Sequence, residues 1–170
     1  MIFTKNALIF LSVFLIIISL PGCSYSFTGA SVPEHLKTIS IPVCKDRSGS
    51  GEAELVELFT NELTKQFIED NTLQVSDKLN SDALIDCTIL SVTTAPAVVQ
   101  NEAASELKVT LTVKVLYRDL VKKKTIFEKN FSDSQNYSST EDVINSKRNA
   151  LSFAIENITE DILLSVVSNW

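Results

Sequence analysis

The sequence predicts an α+β domain: a two-layer sandwich, with a mixed sheet of about four strands and two helices packed on one of its faces. Three observations predict it. Leu107, Val109, Leu111, Val113, Val115 and Tyr117 alternate with Lys108, Thr110, Thr112, Lys114, Leu116 and Arg118. That period of two marks an antiparallel strand with a single buried side. Leu55, Phe59, Leu63 and Phe67 recur every four residues, the apolar stripe of a helix, with Leu58 and Ile68 flanking it. A second stripe, Ile144, Leu151, Ile155, Ile158, Ile162 and Val166, comes late in the chain. Two striped helices need one apolar sheet face to cover.

Each element has its own justification. Residues 24–36 form an extended lead-in: Tyr25 and Phe27 lie on one side of it, and Gly29 and Pro33 oppose a helix. Ile39, Ile41 and Val43 share one face of a first strand over 37–43. Pro42 cannot donate to a ladder and belongs at an edge or a strand end. Residues 46–51, rich in Ser and Gly, are a loop. Glu52 then opens a helix to about Asp70; Glu52 and Glu54 suit the positive end of the helix dipole, and Asn71 suits a left-handed stop.

Residues 73–76 and 83–94 read as extended pieces joined by a polar turn, with Ala95-Pro96 ending the second and 98–105 a loop. After the alternating strand, 119–124 makes a turn and 126–131 pairs back, although Lys129 breaks its pattern. Residues 132–139 read as a polar loop. Ser139 followed by Asp142 resembles a capping box, and a helix then runs to about Ser168. The strand–helix–strand start favours a right-handed crossover and a parallel pair, and the later strands form a meander.

The domain is preceded by a leader. Lys5 is the one basic residue before an apolar run, Ala7–Leu20, of about 14 residues, the pattern of a secretory signal. The run falls short of the ~20 residues that span a bilayer, and no basic stop-transfer cluster follows. It ends in Leu20-Pro21-Gly22-Cys23, where a small residue precedes a cysteine. Residues 1–22 therefore read as a lipoprotein signal peptide and 23–170 as one mature domain. Cys23 would become the acylated N-terminus, a covalent lipid (palmitate among its chains) that anchors the protein to a membrane. Ser24, in place of Asp, favours the outer membrane.

Composition narrows the function. The whole chain carries a formal charge of −6. The leader holds one basic and no acidic residue, so the rest is one unit more negative. An acidic domain with no basic tail is a poor nucleic-acid binder. With Cys23 assigned, Cys44 and Cys87 remain in an oxidising compartment, where they could pair or stay as two small buried or half-buried thiols. Alternation points Cys87 inward and leaves the direction of Cys44 open. There is no C-x-x-C and no Cys/His cluster, so no metal is expected.

Constellations for catalysis are few. The only histidine, His35, sits beside Glu34 and reads as a solvated loop residue, without a nucleophile pattern to serve. Glu52, Glu54 and Glu57 read as a solvated helix face. The basic residues are the more informative set. Lys108, Lys114 and Arg118 share the wet face of the best strand, and Lys122, Lys123 and Lys124 follow in the turn. They form a local positive strip in an acidic protein, either a charged face that deters aggregation or a contact for the phosphates or carboxylates of a lipid or partner. Tyr25, Phe27 and Trp170 read as packing residues near the termini.

The chain resembles the LptE family of lipopolysaccharide-assembly lipoproteins. The resemblance rests on Cys23-Ser24-Tyr25-Ser26-Phe27-Thr28-Gly29-Ala30-Ser31, on Leu36-Lys37-Thr38-Ile39-Ser40-Ile41-Pro42-Val43, on Tyr117-Arg118-Asp119-Leu120, and on the terminal helix that ends near Trp170. Cys44 and Cys87 depart from the family's pattern, so the resemblance implies no role for them. It does imply a non-enzymatic protein without cofactors. Such a protein would plug and help assemble the outer-membrane β-barrel LptD, would bind lipopolysaccharide, and would face the periplasm and the barrel lumen. A lumen is polar and watery, which suits the Thr/Lys face of 108–118. The alternative is a generic envelope lipoprotein that scaffolds or binds cargo.

Overall fold

The structure, a computed structural model, describes residues 32–52, 54–100, 103–140 and 142–168. Its strands are β1 (Thr38–Ser40), β2 (Lys45–Asp46), β3 (Gln74–Val75), β4 (Ala83–Gln100), β5 (Ala103–Asp119) and β6 (Lys124–Ser138). Its helices are α1 (Leu55–Asp70) and α2 (Val143–Ser168), with a short 3-10 turn at Lys78–Asn80. One sheet runs in the order β3-β1-β4-β5-β6, and β2 pairs separately with β4.

The α+β sandwich stands, but its sheet has six strands where the sequence suggests about four. β3 falls within the extended piece expected over 73–76, whereas β2 was not expected, its two residues being too few to show a period. The expected parallel pairing is present: β1 runs parallel to both β3 and β4, with Ile39 opposite Val75 and Ala83. The meander is longer than expected. β4 does not end at Ala95-Pro96; it continues through Pro96 to Gln100, with register shifts at Ile89/Ser91, Pro96/Val98 and Val98/Val99. Edge position makes Pro96 tolerable, since no described strand lies on that side to receive its missing N–H. Residues 132–138, expected as a loop, extend β6 and pair with 106–112 of β5.

The core follows the stripes. Phe59, Leu63 and Phe67 of α1 and Ile155, Ile158, Ile162 and Val166 of α2 are buried with Leu111, Val113, Val115 and Tyr117 of β5 in one cluster. Asn71 stops α1 as expected: its φ is 55° and its N–H donates to the Phe67 carbonyl at 3.1 Å. The starts of both helices differ from expectation. α1 begins at Leu55, after Glu52, and α2 at Val143, so Ser139 is not its cap. Ile144, placed in the stripe by the sequence, is 76% exposed because it falls in the first turn, beyond the sheet surface that α2 covers.

Cys44 and Cys87 are both buried and form a disulfide, with Cα atoms 4.9 Å apart. The bond ties the segment around β2 to β4. Cys44 is also held from the helix side, where its N–H donates to Thr60 Oγ1 at 3.1 Å. The thiols that alternation and composition left open are thus a covalent staple between neighbouring strands.

Candidate functional site

Two surfaces of the sheet carry chemistry. The first is the outward face of β4, β5 and β6. Cross-strand register sets its rows: Thr88, Lys114 and Asn130; Ser91, Thr112 and Ser132; Thr93, Thr110 and Ser134; Ala95, Lys108 and Asn136. Its centre is neutral and hydroxyl-rich. Thr110 Oγ1 and Ser134 Oγ share a hydrogen bond of 2.7 Å, Thr112 Oγ1 and Ser132 Oγ one of 3.0 Å. Asn136 Nδ2 donates to Glu106 Oε2 at 3.3 Å. Such groups satisfy one another while remaining open to water, so the face needs no apolar cover.

The second surface is the end of the sheet where the chain enters the domain. Two carboxylates stitch it together. Asp82 Oδ2 accepts the N–H of Lys37 at 2.9 Å and of Thr38 at 3.1 Å, and the Thr38 hydroxyl at 3.0 Å. The Lys37 N–H chiefly, with Thr38, holds Asp82 below the usual carboxylate range. Asp119 is buried; its Oδ2 lies 2.7 Å from His35 Nε2, and its Oδ1 accepts the Lys122 N–H at 2.7 Å. Burial pushes the Asp119 carboxyl up, yet the Lys122 N–H and the His35 ring outweigh it and hold the group low. Burial above all, with the Asp119 charge beside it, raises the Tyr117 phenol.

His35 is therefore not the solvated loop residue that its sequence context suggests. It is half-buried and pinned to a carboxylate 84 positions away, a contact that no local pattern announces. Asp82 and Asp119 carry no sequence signal of their own beyond the Tyr117–Leu120 stretch that prompted the family resemblance.

The six basic residues do not form one strip. Lys114 pairs with Glu128. Arg118 donates to Asp86 Oδ2 at 2.9 Å. Lys108 stands apart, between Ala95 and Asn136. Lys122, Lys123 and Lys124 are exposed together at the end stitched by Asp119. Lys129, off-pattern in β6, is exposed with its Nζ 4.9 Å from the centre of the Phe127 ring.

A third feature is a cavity of about 420 Å³ between the starts of the two helices, lined by Leu55, Leu58, Ile144, Leu151 and Ile155. At its mouth Lys147 Nζ donates to Glu52 Oε1 at 2.6 Å, so Glu52 is ion-paired, not simply solvated. Among the described residues, no group of three or more His, Cys, Asp and Glu side chains could hold a metal ion, and no helix is long and apolar enough to cross a membrane. Cys23, Tyr25, Phe27 and Trp170 lie outside the described residues.

Fold and surfaces together describe a domain of the two-layer α+β class, with a broad polar sheet face and a carboxylate-stitched end. The chain belongs to the LptE lipopolysaccharide-assembly family, whose model matches residues 36–166. The family comprises non-enzymatic, cofactor-free lipoproteins of the outer membrane that act in lipopolysaccharide transport. No curated protein matches the sequence. Solved structures share the fold. A hypothetical protein of Chlamydia trachomatis is 14% identical with a TM-score of 0.61, covering 77% of this chain and 95% of its own. A protein of Xanthomonas campestris is 9% identical with a TM-score of 0.61, covering 81% and 90%. A minor lipoprotein of Acinetobacter baumannii is 15% identical with a TM-score of 0.52, covering 79% and 94%.

Proposed function

We propose that this protein is held on the outer membrane by an acyl group on Cys23, and that it plugs and helps assemble an LptD-type β-barrel that delivers lipopolysaccharide to the outer leaflet. The observation that carries the reading is the neutral, hydroxyl-rich centre of the β4–β6 face, around Thr110, Thr112, Ser132 and Ser134. A plug must be wet on the side that meets a barrel lumen. Hydroxyl and amide groups suit that place, because they exchange water for lumen partners with a smaller desolvation cost than charges do. Anchoring adds to this by keeping the plug at high effective concentration near its barrel. Of the six basic residues, Lys108, Lys122, Lys123 and Lys124 contact anionic groups of lipid or partner in this reading, while Lys114 and Arg118 are already paired with Glu128 and Asp86.

The test is affinity purification of the tagged protein from detergent-extracted outer membranes, with photocrosslinkers placed at Thr110 and Thr112. A barrel protein should be recovered and should be captured from both positions. Recovery of no barrel counts against the plug. Crosslinks to soluble periplasmic proteins alone, with surface lipopolysaccharide unchanged on depletion, would favour the cargo or scaffold role instead.

A further inference from the structure

The structure divides the basic residues by availability. Lys114 and Arg118 are committed to Glu128 and Asp86, whereas the ion pairs among the described residues leave Lys122, Lys123 and Lys124 out. Lys122 and Lys123 sit in the β5–β6 turn and Lys124 opens β6, and the turn is fixed. Asp119 accepts the Lys122 N–H, and the Leu120 N–H donates to the Asp82 carbonyl at 2.8 Å. Lys123 holds a φ of 54°, a left-handed conformation that glycine or asparagine adopts at lower cost. A lysine kept at such a position, flanked by two more, is an outlier that turn chemistry alone does not ask for.

The same two carboxylates place the chain's lead-in beside this turn. His35 contacts Asp119, and Lys37 and Thr38 contact Asp82. Residues 23–31 precede Val32, the first described residue, and that length of chain reaches at most about 30 Å. A lipid on Cys23 would therefore keep the lysine turn within tether reach of the headgroups of the leaflet in which the lipid sits. The rest of the domain is acidic and is repelled by an anionic surface. The arrangement acts as an orienting device: tether and positive tip on one end, negative body on the other.

We infer that the Lys122–Lys124 turn docks on the phosphate layer of anionic phospholipid in the leaflet that carries the anchor, and so fixes which end of the domain faces the membrane. The orienting role rests on the acylation of Cys23. The lipid contact itself does not, and the experiment separates the two.

The mature chain carrying Cys23→Ser, which has no acyl group, is floated with vesicles of phosphatidylcholine alone, with a third of that lipid replaced by phosphatidylglycerol, or with the same share replaced by lipopolysaccharide. Binding should appear with phosphatidylglycerol, be absent with phosphatidylcholine, and fall with added salt. Lys122→Glu with Lys124→Glu should weaken it at least about tenfold, given what each cation near an anionic surface contributes. Lys45→Glu with Arg148→Glu, two exposed positions away from the turn with the same change in net charge, should weaken it far less. Circular dichroism confirms that both variants fold. Equal losses in the two pairs would mean a net-charge effect and overturn the inference. So would wild-type binding to lipopolysaccharide vesicles alone. Loss of the barrel partner in the purification above, with this flotation pattern intact, would reject the plug and leave the turn standing.

Discussion

The two halves of the long meander are built differently. In the half nearest the chain's lead-in, β4 is covered on both sides: β1 and β2 pair with Ala83–Ile89, β5 pairs on the other edge, and Ile85, Cys87 and Ile89 are buried beneath the helices. A disulfide and two buttressing carboxylates add to it. In the far half, β1 and β2 have ended, and β4 from Ser91 onward pairs with β5 alone among the described strands. Its core there is a small second cluster of Val109, Tyr137, Ala150 and Leu151. Pro96 and the register shifts blunt the open edge against pairing with other chains. The difference assigns stability to one half and leaves the other as the more easily opened region, the kind from which contact surfaces are drawn.

The comparison can be broken by mutation. Phe59→Ala removes a fully buried ring from the well-covered half, and should cost about 3–5 kcal/mol in denaturant unfolding with the slope unchanged. Leu151→Ala, in the small cluster, should cost about 2 kcal/mol, at the low end for a buried leucine. Equal losses at the two sites would dissolve the distinction. Replacing Cys44 and Cys87 together by Ala frees a loop of 43 residues' separation and should cost about 2–4 kcal/mol on the loop-entropy account. Amide exchange sharpens that result: protection should fall around β2 and Ile85–Ile89, and change little beyond Ser91.

Smaller effects belong to the stitched end. Asp82 and Asp119 have folded pKa values below those of the unfolded chain. Their contribution is therefore fully present above the unfolded value of about 4 and is lost as pH falls through the folded values. Asp119→Asn should lower stability by about 1–2 kcal/mol at neutral pH, and flatten the fall of stability with acid. An unflattened acid profile would mean that other carboxylates govern it. Smallest of all, Thr110→Ala with Ser134→Ala should change stability by no more than about 0.5 kcal/mol, because the pair is exposed. If instead that double change matters as much as Asp119, the polar face is structural and its role as a contact surface weakens.

Legibility in the sequence followed the strength of the period. α1, α2 and β5 present long stripes with one apolar and one polar side, so Phe59, Leu63, Ile158, Val113 and Tyr117 were assignable to the core without coordinates. β6 was legible only to Phe131. Beyond it, Asp133 and Gln135 occupy the inward-facing register, and the alternation vanishes. They are accommodated because Gln135 Nε2 donates to Asp133 Oδ2 at 2.7 Å, and Asn157 of α2 donates to the same oxygen at 3.4 Å. The candidate site was half legible. Alternation placed Lys108, Lys114 and Arg118 on the wet face, but which cations are paired depends on Asp86 and Glu128 across the ladder.

The sequence by itself determined the layers, the helix faces, the best strand, the left-handed stop at Asn71 and the family, because each is written in local spacing or ordered motifs. The tertiary structure alone decided the pairing of Cys44 with Cys87, the short strand β2, the capture of His35 by Asp119 and the isolation of the Lys122–Lys124 turn. Those features join residues 43 and 84 positions apart in two of these cases, and contacts at such separations arise only when strands settle into register.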